Sequence, residues 1–179
     1  MPRPAPVILS ARNKAGRALW AVLYALLYRP SPRPLHGWRR FLLRCFGATI
    51  GPGAHPYPRA RIWAPWQLTM GPGSALADDV YCYCVARITL GAFATVSQYS
   101  FLCSAGHDTG RLDGGHMPLV AAPITIGARA WVAADVFVGP GVTIGDEAVV
   151  GARSTVTRDV GAGEIVAGSP PRFIRMRGL

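Results

Sequence analysis

The residues best suited to chemistry stand in one stretch, residues 102–123, which reads LCSAGHDTGRLDGGHMPLVAAP. His107 and Asp108 are adjacent there, and His116 follows in a glycine-rich run. A neutral imidazole can take a proton from a hydroxyl group and deliver it to a leaving group, so His107 is a candidate general base. Asp108 could orient the imidazole ring, but an aspartate in this position more often caps a turn. His116 is interpreted as a surface residue or a contact to a substrate.

Other chemistries fit this chain less well. Cys103 could carry an acyl group as a nucleophile, but its own motif supplies no base, so it is interpreted as a packing residue. A metal centre needs about three ligands, and His36 and His55 lie in the N-terminal region, where they are interpreted as structural. The sequence therefore predicts no metal.

The stretch interrupts a repeat. A phrase of one aliphatic or small residue, Thr, one aliphatic residue and Gly occurs five times, ending at Gly51, Gly71, Gly91, Gly127 and Gly145. Apolar side chains also recur at every sixth position, as in the run Ile126, Val132, Val138, Ile144, Val150 and Val156. This period predicts short strands joined by tight bends, three strands to a coil of about 18 residues. Stacked coils would bury the recurring aliphatic residues in one shared core.

The position of the interruption follows from the same count. Beyond Leu90, Val96 and Leu102, the next inward positions would be Asp108 and Gly114. A buried aspartate is costly and a glycine fills no space. Residues 106–123 are therefore predicted to leave the coils as a loop with His107 at its root, and long loops in compact repeats are usually functional.

Four segments carry a family resemblance: RPSPRPLHGWRRFLLRCFGATIG, SAGHD, PITIGARAWVAADVFVGPGVTIGDEAVVGARSTVTRDV and VAGSPPRFIRMR. They resemble the hexapeptide-repeat acyltransferases, above all the colanic acid biosynthesis acetyltransferases and the galactoside and maltose acetyltransferases. The resemblance implies a mainly β fold, a left-handed parallel β-helix with N-terminal helices and one extruded loop. It also implies acetyl-CoA as donor, a saccharide hydroxyl in exopolysaccharide or related glycan biosynthesis as acceptor, and a homotrimer with sites between neighbouring subunits.

The resemblance also assigns site residues. The family's catalytic histidine falls on His107, and its coenzyme A contacts fall on Ala134, Ala152, Thr157, Arg158, Arg172 and Arg175. Two polar residues that hold sugar hydroxyls in galactoside acetyltransferases fall on Ala77 and Val85, which argues against a simple galactoside-like acceptor. Trp131 is expected on the wall that coenzyme A meets. Three regions are expected: a basic arm at 1–47, the β-helix at 48–160, and a tail at 161–179 that contacts coenzyme A.

The composition sets the remaining limits. The 179 residues carry a net charge of +10, and no acid precedes Asp78. The four cysteines do not suggest a disulfide framework, and no secretory signal is apparent, so a cytoplasmic location is expected. The basic arm suggests an anionic partner, although it lacks a recognised nucleic-acid-reading motif. A non-catalytic scaffold and a metal-dependent enzyme on the same fold are the alternative functions.

The N-terminal arm contains two predicted helices. An apolar run over residues 18–28 stops at Pro30 and would give roughly 16 Å of helix, too short to span a bilayer. Residues 38–46 mix aromatic and aliphatic side chains with arginines. Both helices are predicted to cap the open end of the coils. A further hypothesis is that one of them also lies on the inner face of the membrane.

Overall fold

The structure is a computed structural model, and it describes residues 6–178. Helix α1 spans Ala11–Leu23 and continues as a π-helical turn over Tyr24–Tyr28. Helix α2 spans His36–Cys45. The chain then winds into a parallel β-helix with three flat sheets, which we call faces 1, 2 and 3. The predicted coil architecture is confirmed.

The strands are numbered in chain order, and each face collects every third strand of the coils. Face 1 consists of β1 Thr49–Ile50, β4 Leu68–Met70, β7 Ile88–Leu90, β12 Ile124–Ile126 and β15 Thr143–Ile144. Face 2 consists of β2 His55–Pro56, β5 Ala75–Leu76, β8 Thr95–Val96, β13 Trp131–Val132, β16 Val149–Val150, β18 Glu164–Gly168 and β19 Pro171–Met176. Face 3 consists of β3 Arg61–Ile62, β6 Tyr81–Tyr83, β9 Phe101–Cys103, β14 Phe137–Val138 and β17 Thr155–Val156. A 3-10 turn, Pro65–Gln67, precedes β4.

The core lies along the axis that the three faces enclose. The coils contribute inward apolar side chains to each face, and those of Leu76, Val96, Leu102 and Ile126 are fully buried. Strands stack in register, so that Val138 lies over Leu102 on face 3. The six-residue period therefore encodes the core directly, because each bend returns the next aliphatic side chain to the interior.

Glycine ends the repeated phrase because successive coils approach closely there. A Cβ atom on Gly91 would lie 2.5 Å from the backbone nitrogen of Ala128, and one on Gly145 would lie 2.5 Å from that of Ala162. Such contacts are too short for a Cβ atom, so any other residue type at these glycine positions would force the coils apart locally.

The N-terminal helices close the first coil. Trp20 is buried and its indole Nε1 donates to the carbonyl of Ile62, at 2.7 Å. From α2, the buried Arg39 donates through Nε to the Pro56 carbonyl, and Arg44 donates through Nη2 to the Ile50 carbonyl. These bonds satisfy coil carbonyls at the open end, as the cap prediction requires. Among residues 6–178, no helix combines the length and the apolar character needed to cross a membrane.

Candidate active site

Residues 105–121 leave the β-helix as an antiparallel hairpin. Strand β10, Ala105–His107, pairs with β11, Leu119–Ala121, and His107 stands opposite Leu119. The chain rejoins face 1 at Ile124. The predicted extrusion is confirmed, but the segment begins and ends as paired strand. Three-residue strands containing Ala and Gly are too short for an alternating pattern, so the pairing leaves no periodic signal in the amino-acid sequence.

The His107 ring is exposed and held on one side only. Its Nδ1 lies 2.9 Å from the main-chain oxygen of Met117, across the hairpin. A carbonyl oxygen only accepts hydrogen bonds, so this contact requires Nδ1 to carry the proton. In the neutral ring the lone pair is therefore on Nε2. The hairpin thus fixes the tautomer that can act as a base through Nε2.

Asp108 caps a turn. Its Oδ1 accepts a hydrogen bond from the backbone N–H of Gly110, at 3.0 Å. No hydrogen bond joins its carboxylate to the imidazole of His107 within the described part of the chain. The preferred interpretation of Asp108 as a turn residue is confirmed, and the ring is positioned instead by the Met117 carbonyl.

The other titratable groups of the hairpin region have structural contacts. His116 and Asp113 exchange backbone hydrogen bonds at the exposed tip. Cys103 is half-buried and its thiol donates to the carbonyl of Ala105, at 3.1 Å. Burial raises the pKa of the Cys103 thiol. A thiol that resists ionisation is a poor nucleophile, which agrees with a packing role.

The six predicted coenzyme A contacts fall into three places. Ala134 and Ala152 lie at the same edge of the β-helix in successive coils, where the N–H of Arg153 donates to the Ala134 carbonyl at 3.0 Å. Three others line one cavity of about 410 Å³ between the last coil and the tail: Thr157, Arg158 and Arg172. Arg175 stands on β19, where its Nη1 donates to the carbonyl of Met176.

That cavity is formed because the tail folds back. Strands β18 and β19 form an antiparallel hairpin that extends face 2 beyond β16. The carboxylates at the cavity bind backbone N–H groups: Asp159 accepts from Thr143, and Glu164 accepts from Gly161. The guanidinium groups of Arg158 and Arg172 are exposed, and within residues 6–178 neither is paired with a carboxylate. The cavity can therefore receive an anionic ligand.

Trp131 lies on β13, and its side chain points outward from face 2. Its side chain is 47% exposed, and its indole Nε1 donates to the hydroxyl of Ser97, at 2.9 Å. The ring therefore has a fixed orientation with one surface available to a ligand. Among residues 6–178, no three His, Cys, Asp or Glu side chains come together in a geometry that could hold a metal ion.

A second polar region, which the repeat does not predict, lies between α1 and face 3. Arg17 of α1 and Arg61 of β3 line a cavity of about 260 Å³ with Tyr81 and Trp63. The Tyr-Cys-Tyr run in β6 was the sequence signal that could have indicated this polar region. Its two tyrosines point outward, and large aromatic residues on the outer side of a coil are not needed for the core. The packing of α1 against face 3 could not be read from the repeat.

Comparisons with known proteins agree with this geometry. A family model described as bacterial transferase hexapeptide (six repeats) matches residues 123–158. A protein of Escherichia coli K12 named as the colanic acid biosynthesis acetyltransferase WcaF is 45% identical over 159 residues, which cover 89% of this chain and 86% of that protein.

Solved structures show the same fold. A galactoside acetyltransferase in complex with coenzyme A has a TM-score of 0.85 at 25% identity, covering 96% of this chain and 86% of that one. A hexapeptide-repeat acetyltransferase of Vibrio cholerae, complexed with acetyl coenzyme A, has a TM-score of 0.82 at 25% identity, covering 94% and 91%. The chain belongs to the hexapeptide-repeat acetyltransferases. It is an enzyme of the acetyl-transfer class.

Proposed function

We propose that the protein transfers an acetyl group from acetyl-CoA to a hydroxyl group of a saccharide, in the biosynthesis of an exopolysaccharide or a related glycan. The observation that carries the proposal is the His107 ring, whose Nδ1 faces the Met117 carbonyl at 2.9 Å and whose Nε2 is the basic atom. The relative named for colanic acid biosynthesis supports the glycan, and the neighbour that binds acetyl coenzyme A supports the donor.

The chemistry needs one base in one tautomer. Nε2 of His107 takes the proton of the acceptor hydroxyl as its oxygen bonds to the thioester carbonyl carbon. The tetrahedral intermediate then breaks its carbon–sulfur bond, and Nε2 returns the proton to the departing thiolate. The products are the acetyl ester and free coenzyme A, and the ring is neutral again. The Met117 carbonyl stabilises the charged ring between the two steps by accepting from Nδ1.

The cavity beside the tail is the proposed phosphate end of the donor site. Arg158 and Arg172 would bind phosphate oxygens there, with the Thr157 hydroxyl as a further donor. Ala134 and Ala152 are small residues on one edge, which leaves room for the extended arm of the donor to pass. Arg175 is proposed to contact the donor from β19.

A homotrimer completes the proposed site. His107 is exposed on its own subunit, and a donor that reaches from the tail cavity to the hairpin needs a second wall. A neighbouring subunit would supply that wall through a heterologous contact closed by threefold symmetry. Light scattering should give three times the 19.1 kDa chain mass. A monomer that retains activity at the assay concentration would contradict this proposal.

The N-terminal arm is proposed to contact an anionic membrane surface. Leu19, Val22 and Leu26 of the first helical segment are exposed, and so are Trp38 and Phe41 of α2, whose rings stack 5.8 Å apart. Exposed apolar and aromatic side chains in a region without acids suit an anionic lipid interface. The protein should float with anionic vesicles at low salt and Leu26→Glu should not. If the wild type and Leu26→Glu behave alike, floating at low salt and detaching only at high salt, insertion of this face is contradicted.

One assay separates the proposed reaction from its alternatives. Purified protein should be stabilised thermally by acetyl-CoA, and with a pool of bacterial exopolysaccharide fragments it should release thiol and form acetyl esters detectable by mass spectrometry. A non-catalytic scaffold predicts neither response. A metal-dependent enzyme predicts loss of transfer after treatment with a chelator, whereas base catalysis by His107 predicts none.

A further inference from the structure

A second polar cleft lies between α1 and face 3, outside the residues assigned to the donor. Its first cavity, of about 260 Å³, is lined by Arg17, Tyr24, Arg61 and Tyr81, among others. A second cavity of about 400 Å³ shares Tyr24 and Arg61 and adds Arg29. We call the two cavities together the arginine cleft. Arg61 is exposed at the junction of both.

The arginine cleft carries uncompensated positive charge. Among the described residues that line it, Asp79 is the one carboxylate, and it accepts two hydrogen bonds from Nε of Arg59 and makes a further contact with Nη2. Within residues 6–178, the guanidinium groups of Arg17, Arg29 and Arg61 form no ion pair. Like charges facing one cleft repel each other, and a bound anion removes that repulsion.

Two of these guanidinium groups are already oriented. The Arg17 guanidinium carbon lies 4.1 Å from the ring centroid of Trp63, and that of Arg61 lies 4.7 Å from the centroid of Tyr81. Arg17 is further held by its Nε, which donates to Asn13 Oδ1 at 2.9 Å. A guanidinium stacked on a ring keeps its edge N–H groups available, and that edge matches the paired oxygens of a carboxylate or a phosphate.

An aromatic stripe leads from the arginine cleft toward the hairpin. Tyr81 stacks on Phe101 with ring centroids 5.2 Å apart, and Phe101 meets Phe137 edge to face at 5.6 Å. Tyr83 lies beside Tyr81, and its carbonyl accepts from the N–H of Ser104. These four rings are partly exposed, which gives face 3 an apolar surface with phenolic hydroxyls.

The stripe is linked through Ser104 to the segment that carries the proposed base. Ser104 is three residues before His107, a separation of at most about 11 Å along the chain. A glycan bound in the arginine cleft could therefore extend over face 3 and present a hydroxyl to Nε2 of His107. Ala77 and Val85, at the positions that the family resemblance gives to the acceptor pocket, flank β6 and offer no side-chain hydrogen bond to neutral hydroxyls. Recognition must then come from other groups.

We infer that the arginine cleft binds an anionic group of the acceptor, a carboxylate or a phosphate, so that the substrate is an acidic glycan. This inference rests on the proposed acetyl transfer, and it names the class of acceptor. The guanidinium groups of Arg17 and Arg61 bind the anion, Arg29 adds charge at the second cavity, and the stripe carries the sugar chain toward His107.

Calorimetric titration with three probes tests the inference without the transfer reaction. Hyaluronan hexasaccharide carries carboxylates, maltohexaose is neutral, and inorganic diphosphate offers phosphate without sugar. The acidic hexasaccharide or diphosphate should bind at least about tenfold more tightly than maltohexaose. Preference for the hexasaccharide identifies a carboxylate, and preference for diphosphate identifies a phosphate. Equal binding of all three probes, or binding of none, would overturn the inference.

Matched variants locate the binding. Arg61→Gln should weaken binding of the preferred anion about tenfold, whereas Arg87→Gln, an exposed arginine at the edge of face 1, should leave it unchanged. Tyr81→Ala should weaken binding of the hexasaccharide. Phe93 is an exposed aromatic residue elsewhere, and Phe93→Ala should leave that binding unchanged. If Arg61→Gln changes the oligomeric mass and leaves anion affinity intact, the cleft is a contact between copies and the inference fails.

The transfer assay keeps this inference separate from the proposed function. With an acidic acceptor, Arg61→Gln should raise KM about tenfold and leave kcat within about twofold. A wild-type protein that transfers acetyl groups equally well to acidic and neutral glycans would defeat the inference alone. A wild-type protein that binds the anion but transfers nothing would defeat the proposed function alone.

Discussion

The hairpin and the coils on either side of it are built on different principles. In the coils, aliphatic side chains such as Leu102 and Val138 are fully buried, and backbones approach closely at the glycine edge. In the hairpin, residues 109–117 are exposed, and Gly114 has open space around it. Under the proposed function, stability and chemistry are carried by different residues, and substitutions in the two regions should separate them.

The largest effect is expected at His107. Replacing it with Ala removes the proposed base and should lower kcat by about two to four orders of magnitude. The melting temperature should stay within a few degrees, since the ring is exposed and makes one hydrogen bond. Acetyl-CoA affinity, measured by calorimetry, should change little. The matched control is His116→Ala at the hairpin tip, and near-normal turnover of a folded His107→Ala protein would reject the assignment.

In the coils, a substitution should instead lower the stability of the protein. In Gly127→Ala the new Cβ would lie 2.5 Å from the backbone nitrogen of Asp146, so the coils must separate locally. We expect a loss of about 3 kcal/mol in the free energy of unfolding, measured by urea titration. In the hairpin, Gly110→Ala places its Cβ at an ordinary 3.4 Å from the Asp108 carboxylate. Equal losses for the two substitutions would contradict the contrast between the regions.

A substitution in the N-terminal helices that cap the coils should lower stability, as one in the coils does. Arg39 is fully buried and donates to the carbonyls of Pro56, Pro32 and Arg33. Arg39→Met keeps most of the volume and leaves buried carbonyls without donors, so we expect a loss of roughly 2 kcal/mol in unfolding free energy. Arg87→Met on the surface is the control. An Arg39→Met protein as stable as the wild type would mean that the helices do not depend on this bond network.

The features that could be predicted from the sequence are those for which the residue type alone decides whether a side chain can be buried. The six-residue period gave the core, and Asp108 and Gly114 at inward positions gave the break. Both follow from burial alone, since an aspartate in an apolar interior is costly. The period also explains why Ile126 and Val156 could be assigned to one core before the fold was seen.

The features missed depend on contacts between distant segments. The hairpin pairing of His107 with Leu119 leaves no periodic signal over three residues. The cavity with Arg158 and Arg172 forms only because the tail turns back along face 2. The arginine cleft requires α1 to place Arg17 against Trp63, and the repeat contains no information on that docking.

The smallest expected effect concerns a hydroxyl inside the cap. Tyr28 is fully buried, and among the described residues its hydroxyl is the one buried side-chain polar atom with no hydrogen-bond partner. Tyr28→Phe keeps the edge-to-face contact with Trp20, whose ring lies 5.7 Å away, and removes the unpaired group. We expect unfolding free energy at pH 7 to rise by up to about 1 kcal/mol. Tyr99→Phe on the exposed surface is the control.

The same variant has a pH signature with a definite sign. Burial raises the pKa of Tyr28 well above its ordinary value of 10.0. Above that ordinary value the unfolded chain loses the phenolic proton while the folded chain keeps it, so the wild type loses stability as the pH rises past 10. Tyr28→Phe lacks this ionisable group and should lose less stability between pH 9 and 11 (a range of about one unit either side of that value). Thermal melts across this range measure the difference, and parallel curves for the two proteins would show that the Tyr28 hydroxyl ionises in the folded cap.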